Sequence, residues 1–143
     1  MIGPGTGVAP FRAFLQERQA IGAHGKNWLF FGEQCANSDF YYEHELIQMA
    51  KNGILTRLDT AFSRDRNHKI YVQHRLLDNA KDVWDWLQRG AHIYVCGDAK
   101  RMAKDVDNAL CEICRTVACL SDDQTEEYLG MLRRDKRYQR DVY

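Results

Sequence analysis

A chain of 143 residues, 45% hydrophobic and 28% charged, is one domain's worth of ordinary globular protein, long enough to bury a core. Basic and acidic residues both number 20, so no net field draws it to nucleic acid or to an anionic membrane. No apolar run approaches the ~20 residues of a membrane-crossing helix, the first residues lack the pattern of a secretory leader, and five cysteines without framework spacing fit a reducing, cytoplasmic setting.

The chain opens on Ile2-Gly3-Pro4-Gly5-Thr6-Gly7, alternate glycines with only a stub of strand before them. Glycine lets backbone approach a ligand closely and take positive φ. Val8 to Ile21 then reads as a helix, with Val8, Phe11, Phe14 and Leu15 at apolar spacing, Thr6 as its cap and Pro10 in its first turn. Its free N–H groups and positive dipole end meet the glycine turn, an arrangement suited to a diphosphate. Gly22 and Gly25 end the helix.

Trp28 to Gly32 is a short apolar run, the mark of a strand covered on both faces. Ser38 to Lys51 predicts one helix, with Phe40, Leu46, Ile47 and Ala50 inward. Ile54 to Phe62 is the next strand, alternating along Ile54, Leu55, Leu58 and Ala61. A polar loop, Ser63-Arg64-Asp65-Arg66-Asn67-His68, follows, then a short extended link from Lys69 to Gln73. Arg75 to Gln88 is helical in one or two pieces, and Ile93 to Gly97 is another buried strand. Asp98 opens a long helix to about Ala118, Ser121 caps a last one to about Arg134, and Tyr138 to Tyr143 looks extended.

Strands alternating with helices imply right-handed crossovers and a parallel sheet. The expected class is α/β, a Rossmann-like doubly wound sheet with helices on both faces and its first strand truncated to Met1-Ile2. Ligands bind such sheets at the carboxyl ends of the strands. That rule selects Gly3 to Gly7, Gly32-Glu33-Gln34, Ser63-Arg64 and Cys96-Gly97-Asp98.

The turn is not a P-loop, because no Gly-Lys-Ser/Thr follows, and Gly7 falls one residue early for the dinucleotide pattern. Alone it is equally a tight strand–helix turn. Ser63, Arg64, Lys69 and Tyr71 add a hydroxyl, two cations and an aromatic face. A 2′-phosphate needs charge-assisted donors and adenine needs a flat surface, although a solvated loop has the same composition. Glu33 complicates the choice, since an acid after the second strand ordinarily binds a ribose 2′-hydroxyl and favours NAD. Cys96 ends a buried strand, where it either packs or touches the reacting ring of a cofactor. Cys111 and Cys114 sit in an amphipathic helix with Val106, Leu110, Ile113 and Val117, and packing is expected for both. Cys35 has no evident activating base, and no second Cys-x-x-Cys or histidine pair completes a metal site.

Taken together these segments resemble the NADP-binding domain of the ferredoxin–NADP reductase superfamily, closest to its diflavin reductases of the sulfite reductase flavoprotein type. Gly3 to Arg12 is similar to the family's diphosphate and nicotinamide-ribose loop, and Tyr94 to Ala103 to its catalytic strand–helix segment. Ser63-Arg64-Asp65 with Lys69 to Gln73 resembles its 2′-phosphate and adenine site, and Asp141-Val142-Tyr143 its acidic and aromatic ending. Glu33-Gln34 stand where microsomal cytochrome reductases carry Cys-Arg.

The resemblance implies NADP(H) as cofactor, held by Gly5, Thr6, Gly7, Pro10, Ser63, Arg64, Lys69, Tyr71, Gln73, Gly97, Asp98 and Met102. It implies that Cys96 touches nicotinamide, that Asp141 orients Cys96 and stabilises positive charge, and that Tyr143 stacks on a flavin as a gate. It further implies that residues 1–143 are a C-terminal piece of a larger reductase whose FAD and FMN domains lie outside this chain. The expected partners are those two domains and a sirohaem sulfite reductase subunit, with no nucleic acid and no membrane. On that view the piece binds NADPH without turning over, and its tail is disordered without FAD. The alternatives are a redox-inactive nucleotide-binding module and a diflavin reductase serving another acceptor.

Overall fold

The computed structural model describes residues 1–65 and 67–143; Arg66, part of the predicted polar loop, lies outside the described residues. The chain divides into two compact units, Met1–Val72 and Gln73–Tyr143. Both are built of parallel strands and helices, the α/β class expected.

In the first unit, β1 (Trp28–Glu33) pairs in parallel with β2 (Arg57–Phe62), Trp28 opposite Arg57 and Glu33 opposite Phe62. On the other side of β1, Ile2 forms an isolated parallel bridge to Phe30, with Gly3 N–H donating to Phe30 O at 3.0 Å. β1 is buried from Trp28 to Gly32, as a strand covered on both faces must be. A 3-10 turn, Gly5–Val8, leads into α1 (Ala9–Ala20). That turn displaces the expected Thr6 cap, and Val8 fills the capping position with no side-chain bond.

Val8, Phe11 and Leu15 are buried, whereas Phe14 is 41% exposed. A step of about 100° per residue aligns the first three and turns Phe14 to the flank of their stripe. There it lies edge-on to Phe11, with ring centroids 5.9 Å apart.

The helix expected over 38–51 is instead two. α2 (Ala36–Asp39) is a single turn, and α3 (Glu43–Lys51) begins after Tyr42, whose φ is 60°. Phe40 leaves helical geometry between them because its ring belongs to an aromatic cluster. It stacks on Phe31 at 5.2 Å and meets Phe62 edge-on at 5.4 Å. With the register reset, Leu46 and Met49 face inward while Ile47 and Ala50 are exposed.

β2 starts at Arg57 rather than Ile54, since Asn27 takes over the preceding backbone. The carbonyl of this buried residue accepts N–H bonds from Thr56 and Arg57, and its Nδ2 donates to Ile54 O at 2.8 Å. α4 (Val72–Asp78) takes up the end of the link expected to be extended to Gln73.

In the second unit, β3 (Ile93–Gly97) pairs in parallel with β4 (Tyr138–Val142), Cys96 opposite Asp141. α4 and α5 (Ala80–Gln88) are separate pieces broken at Asn79, whose Nδ2 donates to Arg75 O. α6 (Met102–Thr116) starts four residues later than the sequence suggested, and α7 (Asp122–Arg134) starts where Ser121 predicts. Val106, Leu110, Ile113, Cys114, Leu129 and Leu132 form the core, so Cys114 packs as expected. Burial pushes its thiol up to about 11, which makes it an inert apolar group at neutral pH.

The tail is not disordered. Tyr138 is buried and its hydroxyl donates to Asp107 Oδ1 at 2.8 Å, an oxygen also held by Arg133 at 2.7 Å. Arg137 Nη2 donates to Leu87 O at 2.6 Å and Ala91 O at 3.0 Å, occupying carbonyls at and beyond the end of α5. Among the described residues no helix is long and apolar enough to cross a membrane.

At α7 the Ser121 side chain accepts from Gln124 N–H while Gln124 returns a bond to Ser121 N–H. Ser121→Ala should therefore lower unfolding free energy by about 1 kcal/mol. Urea unfolding measures it, and an unchanged midpoint would show that the cap contributes nothing.

Candidate functional site

The glycine turn of the first unit is shaped by close approach. A Cβ on Gly3 would lie 2.5 Å from Gly7 O and 2.7 Å from the Phe11 ring. Gly5 has φ of 59°, and a Cβ there would lie 3.2 Å from Glu33 Oε2. Gly7 N–H closes the turn onto Pro4 O at 3.1 Å. A Cβ on Gly32 would meet Val72 Cγ1 at 2.9 Å and Pro4 Cβ at 3.4 Å. Backbone thus fills the inner side of the turn, Thr6 is exposed, and Pro10 stands in the first turn of α1.

Arg12 is committed elsewhere. It pairs with Glu45 at 2.6 Å and lies 4.7 Å over the Tyr42 ring. Its hydrogen bond, joined by one from Gln16, holds the Glu45 carboxyl below its ordinary range.

The loop after β2 is pinned to the loop after β1. Ser63 N–H donates to Glu33 O at 2.9 Å and Arg64 N–H to Gln34 O at 2.8 Å, while Asp65 Oδ2 accepts from Ala36 N–H at 3.1 Å. Ser63 is half-buried, and Arg64, Lys69 and Tyr71 are exposed. Neither Arg64 nor Lys69 forms an ion pair with a described residue, so both cations face solvent uncompensated. The first unit therefore carries Gly5, Thr6, Gly7, Pro10, Ser63, Arg64, Lys69 and Tyr71, the glycine turn and the polar loop both following strand residues at their carboxyl ends.

The second unit carries the rest. Cys96 is buried, and both burial and the Asp141 carboxylate push its thiol up. Gly97 has φ of 137°, a conformation other residues rarely adopt. Its carbonyl accepts Tyr143 N–H at 3.1 Å, and Tyr143 O accepts Ala99 N–H at 2.9 Å. The last residue is thus held by its backbone while its ring is 69% exposed.

Asp98 Oδ2 accepts from Arg101 N–H at 2.7 Å and Met102 N–H at 3.1 Å. It caps α6, which is why that helix starts late, and the bonds hold its carboxyl below the ordinary range. Gln73 Nε2 donates to Asp105 Oδ2 at 3.3 Å, and Met102 is half-buried. Two features had no signal in spacing: the approach of Glu33 to Gly5, and the capture of Arg12 by a residue 33 positions away.

A glycine-rich turn opening a helix at the carboxyl end of parallel strands is the arrangement of nucleotide-binding proteins of the Rossmann-like class. The family model for the oxidoreductase NAD-binding domain matches residues 1–108, and the chain belongs to that family. It is also similar, along all 143 residues, to proteins named sulfite reductase [NADPH] flavoprotein alpha-component. Identity is 59% to that of Vibrio cholerae serotype O1 (strain O395), 60% to that of Shewanella sp. (strain MR-7) and 56% to that of Cronobacter sakazakii. The whole chain is covered in each case, and it spans 23–24% of the length of these relatives.

The pairing of Cys96 with Asp141 has a chemical signature. A carboxylate opposite the thiol disfavours thiolate, so Asp141→Asn should shift the pH profile of Cys96 alkylation to lower pH and speed labelling at fixed pH. Peptide-resolved iodoacetamide kinetics read this, and an unmoved profile would mean the two groups are not coupled.

Proposed function

We propose that residues 1–143 are the NADP(H)-binding domain of a larger cytoplasmic flavoprotein reductase of the NADPH sulfite reductase type. The observation that carries this reading is 59% identity along the whole chain to a subunit named for NADPH and for flavin. The residues present fit the nucleotide: a tight glycine turn opening α1, with Gly5 at positive φ and Thr6 exposed, and solvent-facing cations at Arg64 and Lys69.

When bound, NADPH supplies a hydride, two electrons with one proton; FAD and FMN domains of the same polypeptide would take up the pair and release the electrons one at a time to a sirohaem subunit that reduces sulfite to sulfide. This chain's task is binding and alignment, since no residue here need act as a strong acid or base. In the first unit, Gly5, Thr6 and Gly7 with Pro10 at the start of α1 hold the diphosphate against backbone N–H groups. Ser63, Arg64 and Lys69 take the 2′-phosphate, and Tyr71 offers its face to adenine.

In the second unit, Gln73, Gly97, Asp98 and Met102 are the residues this reading assigns to nucleotide contact. Cys96 packs against nicotinamide as a neutral thiol. Asp141, opposite it in the ladder, keeps that thiol protonated and favours positive charge developing beside it. The exposed Tyr143 ring would stack on a flavin and give way to nicotinamide. An offset stack is worth only ~0.5–1.5 kcal/mol beyond burial, weak enough for a gate.

Calorimetric titration of the chain with NADP+ and NAD+ tests the reading. NADP+ should bind more tightly, and Arg64→Ala should weaken NADP+ by about tenfold or more while leaving NAD+ unchanged. Equal loss for both nucleotides, or no preference in the unaltered chain, would overturn it.

A further inference from the structure

Glu33 is the last residue of β1, and its main chain is held between Phe62 in the ladder and the N–H of Ser63. Its half-buried carboxylate is used unequally. Oε1 accepts the N–H of Gln34 at 2.9 Å, whereas Oε2 is aimed at the glycine turn, 3.2 Å from where a Cβ on Gly5 would stand. No cation among the described residues pairs with it. A bare carboxylate against a diphosphate turn repels the ligand unless donor groups stand between them. A carboxylate is an acceptor only, and its bonds to hydroxyls are short and strong. The groups flanking the diphosphate of a dinucleotide are riboses, and a vicinal diol presents two such donors.

The chemistry of the ligand then decides which ribose. In NADP the adenosine 2′-oxygen carries the phosphate, so that ribose has lost its vicinal diol. The nicotinamide ribose keeps both hydroxyls. We propose that Glu33 binds the hydroxyls of the nicotinamide ribose, and so sets which end of the nucleotide lies on the Gly5 turn. This rests on the NADP(H) reading and goes beyond it. It also reconciles an acid at the end of β1 with a phosphate site at Ser63 and Arg64, because the acid reads the other half of the ligand.

The test is calorimetry on the whole chain with NADP+, with 2′,5′-ADP, and with an NADP+ analogue lacking the nicotinamide-ribose hydroxyls. Glu33→Ala should weaken NADP+ by about tenfold and leave 2′,5′-ADP unchanged, with Glu33→Gln intermediate. The analogue should bind the unaltered chain about tenfold more weakly than NADP+, with no further loss in Glu33→Ala. Unchanged 2′,5′-ADP affinity also certifies that the variants fold. Tighter binding of both NADP+ and 2′,5′-ADP by Glu33→Ala would make the carboxylate merely repulsive and overturn the assignment. Equal weakening of both ligands, or no effect on either, would overturn it too. These outcomes differ from failure of the NADP(H) reading, in which the unaltered chain binds neither ligand.

Discussion

At Gly3 the chain passes so close to itself that a single added carbon would strike the Gly7 carbonyl and the Phe11 ring. The rest of the first unit depends on that approach. It lets the Ile2 bridge run directly into the 3-10 turn, fixes where α1 begins, and seats Phe11 in the core beside Val8 and Leu15. It also leaves the outer side of the turn at Thr6 open to solvent. A larger residue at position 3 would have to push backbone rather than the tip of a flexible side chain, and packed interiors resist such shifts.

Parallel pairing does corresponding work in each unit. Because neighbouring strands run the same way, their carboxyl ends coincide, and residues far apart in sequence arrive side by side. In the first unit this brings Ser63 and Arg64 onto the backbone that follows β1. In the second it sets Asp141 opposite Cys96 and ties Tyr143 to Gly97. The second pairing is anchored by groups remote from the chemistry, the Tyr138–Asp107–Arg133 cluster and the grip of Arg137 on the end of α5. Structure and candidate chemistry meet on one strand, β4, whose first residue, Tyr138, is buried and which runs out into the exposed Tyr143.

How much of this was legible in the sequence varies with the range of the interaction. Periodicity and apolar runs located β1, α1, β3 and α7, because hydrophobic spacing and the Ser121 cap are local signals. Periodicity failed over residues 38–51, where Phe40 is apolar at helical spacing yet serves an aromatic cluster with Phe31 and Phe62. It failed again at β2, since Ile54 and Leu55 look like strand until Asn27 captures the backbone beside them. The start of α6 was misplaced because Asp98 caps through its side chain from outside the helix. The extended shape of the tail was readable but its anchoring was not, because that depends on Arg137 and Tyr138 reaching residues 31 to 50 positions away. At the candidate site, residue types and strand ends were readable. The aim of the Glu33 carboxylate and the capture of Arg12 were not, because both are set by long-range packing.

NADP(H) binding by the glycine turn and the loop after β2 is read by amide chemical shifts during titration with NADP+. Saturable shifts are expected at Gly5 to Gly7, at Ser63 and Arg64, and at Cys96 to Asp98. With 2′,5′-ADP, shifts at Ser63 and Arg64 should persist while those at Cys96 to Asp98 fall away. Shifts confined to other surfaces, or an unperturbed glycine turn at saturating NADP+, would overturn the NADP(H) assignment.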